Sequence, residues 1–305
     1  MNRAASKLAR HLRDGTLWPA ARHRIGDKLN KWSAIWKTCG SPYYRVRPHL
    51  WSAEIASMDR RIAVSPERGF TYVRIPKAAN STVMNTLYRC FPLPHPVADE
   101  NDVECIKNSF PSPRQLQKSQ IRQLLEHHFI FTLVRNPYHR TLSAYLMRFH
   151  PKPENEESGF QPESAKEKYM SRYELEQMDF LNRFGDAIAR HGGGAISFNA
   201  FCRWLASGGE ARDVHWMLQC RLINLVGLRR MDYIGRVESL DRDLPAIVNR
   251  VRGTEARVDI QDAGPEPTRA TARCGEFYDE ESVALVKQVY KRDFEALGYS
   301  QDPDW

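Results

Sequence analysis

The sequence predicts an α/β domain in which a parallel β-sheet is flanked by helices and a P-loop-like turn follows the first parallel strand. Two strand–turn–helix units stand in the middle of the chain. The strand of the second unit, 129–134 (FIFTLV), is apolar almost throughout, which is typical of a strand buried on both faces of a sheet. Because strands that alternate with helices favour βαβ connections, the sheet is expected to be parallel.

The first unit begins after Gly69 with a β-rich run that reaches residue 75 and stops at Pro76. A helical apolar pattern follows at once. Its core-facing positions are Val83, Met84, Leu87 and Tyr88.

The second unit begins at Phe129 and breaks at Arg135-Asn136-Pro137. A helix with apolar residues at Leu142, Tyr145, Leu146 and Phe149 is expected to follow. Between the two units, Ser112-Pro113 opens a predicted helix near 114–126.

The other predicted elements lie before and after these units. Residues 1–65 are basic and poorly periodic and are assigned to an N-terminal helical extension, whereas 66–305 form the main domain. The polar segment 150–168 is expected to be a loop or lid. The remaining assignments are helices at 171–184 and 198–206, a strand at 233–237, a loop at 261–270 and a long last helix at 279–297.

Composition limits the class of protein. A chain of 305 residues with 42% hydrophobic content can bury a substantial core, and it contains no apolar run long enough for a membrane span. The N-terminal region is Arg-rich and carries Trp18, Trp32 and Trp36, so it fits either a solvated helix pair, a transit peptide or a helix that touches a membrane surface. Six cysteines without CxxC or zinc-ligand spacing indicate free thiols in a reducing compartment.

The formal charge of +8 favours an anionic partner through long-range electrostatic steering. Charge alone does not distinguish among the possible anionic partners. A nucleic-acid-binding protein is not favoured, because the basic residues are dispersed among 37 acidic ones and no reading module is present.

The turn after the first strand has the composition of an anion site. Lys77 follows the strand, and Asn80, Ser81 and Thr82 stand where the helix begins. Unpaired N–H groups and the positive end of the helix dipole attract phosphate or sulfate at such a position. The alternative is an ordinary helix cap, for which Asn and Ser are preferred residues. The segment is not a Walker A loop.

The second strand delivers Arg135 to the carboxyl edge of the sheet, where ligands of open α/β sheets bind. Ser143 follows about two helical turns later. Taken alone, this segment is equally an ordinary strand–turn–helix with a surface arginine.

The two segments together, about 55 residues apart, resemble the paired donor-binding motifs of sulfotransferases that use 3′-phosphoadenosine-5′-phosphosulfate (PAPS). The resemblance implies the sulfotransferase fold, PAPS as donor and no metal. It also implies that Arg135 and Ser143 hold the 3′-phosphate. The loop for the 5′-phosphosulfate would consist of Lys77, Ala78, Ala79, Asn80, Ser81 and Thr82. Asn80 stands where the family usually has glycine.

Three later segments are similar to the carbohydrate sulfotransferases related to chondroitin 4-O-sulfotransferase. They are Asp213-Val214-His215-Trp216, the run 233–240 (YIGRVESL) and the ending 289–299, so the resemblance covers about 69–299. It implies a carbohydrate or glycoconjugate acceptor. Since no signal anchor and no luminal cysteine pattern are evident, the expectation is a bacterial-type cytoplasmic enzyme.

These segments suggest roles for particular side chains. Lys77 is expected to meet the oxygen that leaves with the 5′-phosphate, and a neutral His215 is expected to take the acceptor proton. Glu238 is the alternative base, or it anchors a loop. Arg269 and Arg273 are either a further phosphate contact or a solvated basic loop. The histidines beside the second motif, His127, His128 and His139, are expected to be structural.

The alternative function is a P-loop-like kinase or another nucleotide-dependent phosphotransferase. Such an enzyme would need a glycine-rich loop and a carboxylate that holds magnesium at a strand end. Because the second strand ends in Arg135 instead, the sequence favours a metal-free donor site.

Overall fold

A four-stranded sheet forms the centre of the protein. The computed structural model describes residues 33, 35–47, 58–93, 97–100, 102–150, 172–224, 230–261 and 268–305. The strands stand in the order of the sequence; β2 pairs parallel with β3 and β3 parallel with β4, whereas β1 runs antiparallel to β2. Their bounds are Ile62–Ser65 (β1), Phe70–Val73 (β2), Phe129–Val134 (β3) and Tyr233–Arg236 (β4). The predicted α/β class with a mostly parallel sheet is confirmed.

Strand β1 is an element that the sequence analysis did not predict. It lies inside 1–65, the segment assigned to a helical extension, yet all four of its residues are buried. A tight turn joins it to β2, and Gly69 in that turn has a φ of 66°, a left-handed conformation that glycine adopts without strain. Four residues are too few for periodicity to show, and the basic residues before the strand hide it further.

Helices cover the sheet and extend beyond it. Helix α2 follows β2, and α5 follows β3, as predicted. The helices described are Pro42–Arg45 (α1), Asn80–Cys90 (α2), Val103–Ser109 (α3), Lys118–His127 (α4), Pro137–Arg148 (α5), Arg172–Phe180 (α6), Asp186–Arg190 (α7), Phe198–Ala206 (α8), Gln219–Ile223 (α9), Leu240–Arg252 (α10), Cys274–Phe277 (α11), Glu280–Val289 (α12) and Lys291–Leu297 (α13).

Three predicted helices are divided. The helix expected near 114–126 is a 3₁₀ turn at Pro113–Gln115 followed by α4, because the Gln115 and Gln120 side chains each close a separate capping box. The helix expected at 171–184 is α6 followed by a π-helical turn at Leu181–Gly185. The helix expected at 279–297 breaks at Tyr290 into α12 and α13.

The core has one layer on each face of the sheet and a third among the helices. Along β2 and β3 the side chains alternate, so that Phe70 and Tyr72 pack with Phe131 on one face while Val73 and Val134 lie on the other. The third layer packs α5, α8 and α12 around Trp216, which is fully buried. Both units that carry the predicted donor motifs therefore rest on a rigid sheet.

Two expectations lie outside the described residues. Of the predicted lid, 150–168, only His150 belongs to the described residues. The possible membrane contact was assigned to the Arg-rich N-terminal region, of which residues 1–32 are not described. Within the described ranges, no helix combines the length and apolarity that crossing a membrane requires.

Candidate active site

The turn between β2 and α2 has an unusual backbone. Lys77 and Ala79 have φ values of 68° and 52°, a left-handed conformation that costs energy in residues with a Cβ. Asn80, which replaces the family's glycine, is the first residue of α2 and needs no such conformation. Its Oδ1 accepts a hydrogen bond from the Tyr72 hydroxyl at 3.1 Å. The substitution is therefore compatible with the turn.

The start of α2 fits an anion better than an ordinary cap. The residue before the helix is Ala79, whose side chain makes no capping hydrogen bond. Ala78 is fully buried, while Ser81 and Thr82 lie half-buried in that turn. Since the first N–H groups of a helix have no intrahelical acceptor, they and the dipole are available to a phosphosulfate.

Arg140 on α5 supports this turn from below. It is buried and donates three hydrogen bonds to backbone carbonyls: from Nε to Pro76 at 3.0 Å, from Nη1 to Met217 at 2.9 Å and from Nη2 to Val214 at 3.2 Å. One guanidinium thus fixes the donor turn relative to the segment that carries His215. The sequence analysis assigned Arg140 no role.

Lys77 lies among other cations. Its Nζ is 2.9 Å from Met147 Sδ, and its carbonyl accepts from Arg135 Nη1 at 3.4 Å. Burial, and next the charges of Arg148 and Arg135, hold the pKa of Lys77 well below its ordinary value. An incoming polyanion would reverse this effect, because it favours the charged amine.

Arg135 and Ser143 lie at the carboxyl end of β3 and on the following helix, as predicted. Arg135 Nη2 donates to Thr271 Oγ1 at 3.0 Å, and the hydroxyls of Ser143 and Thr268 lie 3.1 Å apart. Arg135 Nε is buried and has no hydrogen-bond partner among the described residues. A buried donor without a partner indicates a place for an acceptor atom such as a phosphate oxygen.

In the segment 268–273, the hydroxyls rather than the arginines contact Arg135 and Ser143. Thr268 and Thr271 make the contacts just described. Arg273 instead donates to Glu276 at 2.9 Å and covers the Phe277 ring at 4.8 Å. Threonine is too common for this function to be read from the sequence.

Gln219 holds the backbone of Arg135 from both sides. Its Oε1 accepts from the Arg135 N–H at 3.0 Å, and its Nε2 donates to the Arg135 carbonyl at 2.8 Å. The buried carboxylate of Asp293 accepts from the backbone N–H groups of Gln219 and Cys220. The closing segment of the chain therefore helps to position the Arg135 backbone through Gln219.

His215 is oriented by its neighbours. Its Nδ1 is 2.6 Å from Asp213 Oδ1, which also accepts from the His215 backbone N–H at 3.0 Å. Its Nε2 is 3.2 Å from Arg148 Nη2. Because guanidinium can only donate, Nε2 is the acceptor and Nδ1 carries the proton. Burial lowers the pKa of His215 to about 3, against the opposing effect of the Asp213 hydrogen bond.

Glu238 anchors a loop. Its carboxylate accepts from the Asn136 N–H at 2.7 Å and from the Tyr299 hydroxyl at 2.9 Å, and it lies 3.5 Å from His139 Nδ1. Burial raises its pKa, but the nearby His139 ring and the hydrogen bonds from the Asn136 N–H and the Tyr299 hydroxyl outweigh burial and leave the pKa below its ordinary value. Of the two alternatives, the contacts favour the anchor.

The other histidines near the second motif, His127 and His128, lie away from the residues of the candidate site. His128 Nδ1 is 2.9 Å from Thr71 Oγ1 at the opposite end of the strands, and His127 is exposed at the end of α4. In the described part of the chain, no His, Cys, Asp and Glu side chains cluster as metal ligands would.

Comparison with known proteins agrees with this geometry. The model of the Sulfotransferase family matches residues 60–300. Carbohydrate sulfotransferase 10 of Xenopus laevis is 24% identical over 262 residues, which cover 79% of this chain and 68% of that protein. Carbohydrate sulfotransferase 14 of Homo sapiens is 28% identical over 226 residues, which cover 70% of this chain and 53% of that protein. The chain thus spans about half to two thirds of the length of these relatives. No solved structure matches it at a comparable level.

Proposed function

The chain belongs to the sulfotransferase family, and from that membership we propose that it transfers the sulfuryl group of PAPS to a hydroxyl of a carbohydrate or glycoconjugate. The observation that carries the proposal is the contact between the two donor motifs. Arg135 Nη1 reaches the Lys77 carbonyl, so the turn after β2 and the end of β3 form one basic site at the carboxyl edge of the sheet.

The residues present fit the two charged ends of the donor. The loop from Lys77 to Thr82 would hold the 5′-phosphosulfate with first-turn N–H groups, hydroxyls and the Lys77 amine. Arg135 and Ser143 would hold the 3′-phosphate, together with Thr268 and Thr271. The partnerless Nε of Arg135 supports this assignment.

The chemistry asks for charge relief on the leaving oxygen and a base for the acceptor. When bound, PAPS supplies an activated sulfuryl group. Lys77 stands at the helix entrance, where negative charge develops on the departing 5′-phosphate. His215, held by Asp213 with its proton on Nδ1, would accept the hydroxyl proton at Nε2.

The carbohydrate acceptor is supported by the names of the matched relatives and by charge. Carbohydrate sulfotransferases 10 and 14 cover 79% and 70% of this chain. A sequence pI of about 9.2 adds attraction for acidic glycans, an effect that fades with salt. A kinase is less well supported, because Arg135 follows the end of β3, where a phosphotransferase would hold magnesium through a carboxylate.

We also propose a reducing compartment, the cytoplasm, as the place of action. All six cysteines are free thiols, and four of them are buried. Counting thiols in protein purified from its own cells without reductant tests this: six free thiols are expected, and a disulfide would contradict it.

The experiment for the main proposal has two steps. First, thermal shifts with 3′,5′-ADP and 5′-AMP should show a clear preference for 3′,5′-ADP, because only that ligand fills a 3′-phosphate site. Second, labelled PAPS should transfer sulfate to glycans, at low and moderate salt, but not to simple phenols. Equal shifts would contradict the donor assignment, and transfer to phenols alone would contradict the acceptor class.

A further inference from the structure

Arg148, the last residue of α5, contacts one predicted catalytic group, His215, and lies near the other, Lys77. Its Nη2 is 3.2 Å from His215 Nε2, and its neighbour Met147 contacts Lys77. After burial, the charge of Arg148 is the strongest influence that lowers the pKa of Lys77. Neither donor motif includes this residue, so the functions assigned so far leave it unexplained.

The position of Arg148 prevents His215 Nε2 from acting as a base. His215 Nε2 has one lone pair, and a guanidinium hydrogen already points at it. The proton of an acceptor hydroxyl needs that same lone pair. In this arrangement His215 is therefore blocked, however well Asp213 orients it.

Besides His215, the Arg148 guanidinium contacts two side chains of α6. Nη1 is held by Glu176 Oε2 at 2.6 Å, and the group covers the Phe180 ring at 4.4 Å. Its Nε is buried without a hydrogen-bond partner among the described residues. A long side chain with a spare donor can turn to a nearby anion while its helix stays in place.

We propose that Arg148 is a switch that blocks His215 Nε2 in the donor-free enzyme and turns to the sulfuryl oxygens when the donor occupies the Lys77 loop. The inference rests on the proposed sulfuryl transfer. Arg148 then does two things: it frees the base only when sulfur is present, and it stabilises charge on the transferring group.

The transfer step balances. The acceptor oxygen forms a bond to sulfur while the bond from sulfur to the bridging oxygen breaks, and that oxygen leaves on the 5′-phosphate beside Lys77. The hydroxyl proton passes to His215 Nε2, and the imidazolium later releases it to water. No further reactant is required.

The charges around His215 support the switch. The groups that act on it are Asp213, Arg148 and Arg61, and the Phe180 ring meets it edge-on with 5.3 Å between ring centroids. Both arginines lower the pKa of His215, in addition to burial. Turning Arg148 toward an anion removes one of these cations, so His215 becomes a stronger base when the donor is in place.

The test follows His215 directly by ¹⁵N NMR of protein labelled at histidine ring nitrogens, with the signal assigned by its loss in His215→Gln. In wild type without ligand, Nε2 should resonate as a hydrogen-bond acceptor, and Arg148→Met should shift it to the position of a free Nε2. PAPS should cause the same shift in wild type, whereas 3′,5′-ADP should not. An unchanged signal with PAPS, or equal shifts with both ligands, would overturn the switch.

Arg183→Met is the matched control. Arg183 also covers the Phe180 ring, at 5.4 Å, and lies 3.5 Å from Asp213 Oδ2, but it makes no contact with His215. It should leave the Nε2 signal in place and cost less than about tenfold in kcat, whereas Arg148→Met should lower kcat by about 10²–10³. Near-normal turnover in folded Arg148→Met would also overturn the switch. If wild type binds PAPS but transfers no sulfate, the proposed function fails instead.

Discussion

The donor side and the acceptor side of the site are built differently. The proposed donor side takes its groups from the turn after β2 and from the end of β3, where Gln219 fixes the Arg135 backbone through two hydrogen bonds. The proposed acceptor side consists of His215 and Asp213, which lie in an irregular turn, and of Arg148 at the end of α5. The first arrangement is preorganised by the sheet, whereas the second depends on how a few long side chains are placed. Donor binding and turnover should therefore respond to different mutations.

The largest effect is expected on the acceptor side. His215→Gln should lower kcat by about 10²–10⁴, the usual contribution of a general base, and should leave affinity for 3′,5′-ADP unchanged. Steady-state kinetics and calorimetry measure the two quantities. Full activity in the folded variant would show that His215 is not the base, and weakened ADP binding would show that the two sides are not separate.

A variant of Lys77 tests whether a residue of the proposed donor side can affect turnover more than donor binding. Lys77→Ala should lower kcat by about 10²–10³ and weaken 3′,5′-ADP much less, because the amine acts mainly on charge that develops in the transition state. Lys107→Ala is the control: Lys107 contributes to the charge around Lys77 but pairs with Glu104 at 2.8 Å. Near-normal turnover in Lys77→Ala would remove Lys77 from the mechanism.

Arg135 should act through affinity alone. Arg135→Ala should abolish the preference for 3′,5′-ADP over 5′-AMP, about 10–100-fold for a charged hydrogen-bonding group. Calorimetry on folded protein measures it, with Arg273→Ala as the control because Arg273 is bound to Glu276. If the preference survives, the 3′-phosphate binds elsewhere.

The last prediction concerns stability and pH. The pKa of His215 is about 3 in the folded protein and about 6.5 in an unfolded chain. Below pH 6.5 the unfolded state therefore binds a proton that the folded state does not. The free energy of unfolding then decreases by about 1.4 kcal/mol for each unit by which the pH is lowered, until pH 3 is approached. The free energy of unfolding, measured by urea denaturation at several pH values, should show this pH dependence in wild type but not in His215→Gln. Parallel curves would mean that His215 titrates normally.

The fold shows where sequence patterns suffice. The strand at 129–134 was predicted because an almost continuous apolar run, interrupted only by Thr132, is typical of a strand buried in a parallel sheet. Strand β1 and the break at Tyr290 were not predicted from the sequence. β1 is too short for a period to appear, and the break at Tyr290 accompanies a tertiary contact, the hydrogen bond from the Tyr290 hydroxyl to the Trp216 carbonyl.

The sequence by itself determined where Lys77 and Arg135, the residues of the proposed donor side, lie in the fold, since both follow the end of a strand and a strand end is a local property. Only the tertiary structure decided the rest. Arg148 and His215 are 67 residues apart and Ser143 and Thr268 are 125 apart, and no local pattern joins them. Arg140 gave no signal either, because three backbone carbonyls from two segments become its partners only after the chain has folded. Local propensity fixes where a strand stops, but packing alone fixes which side chains then meet.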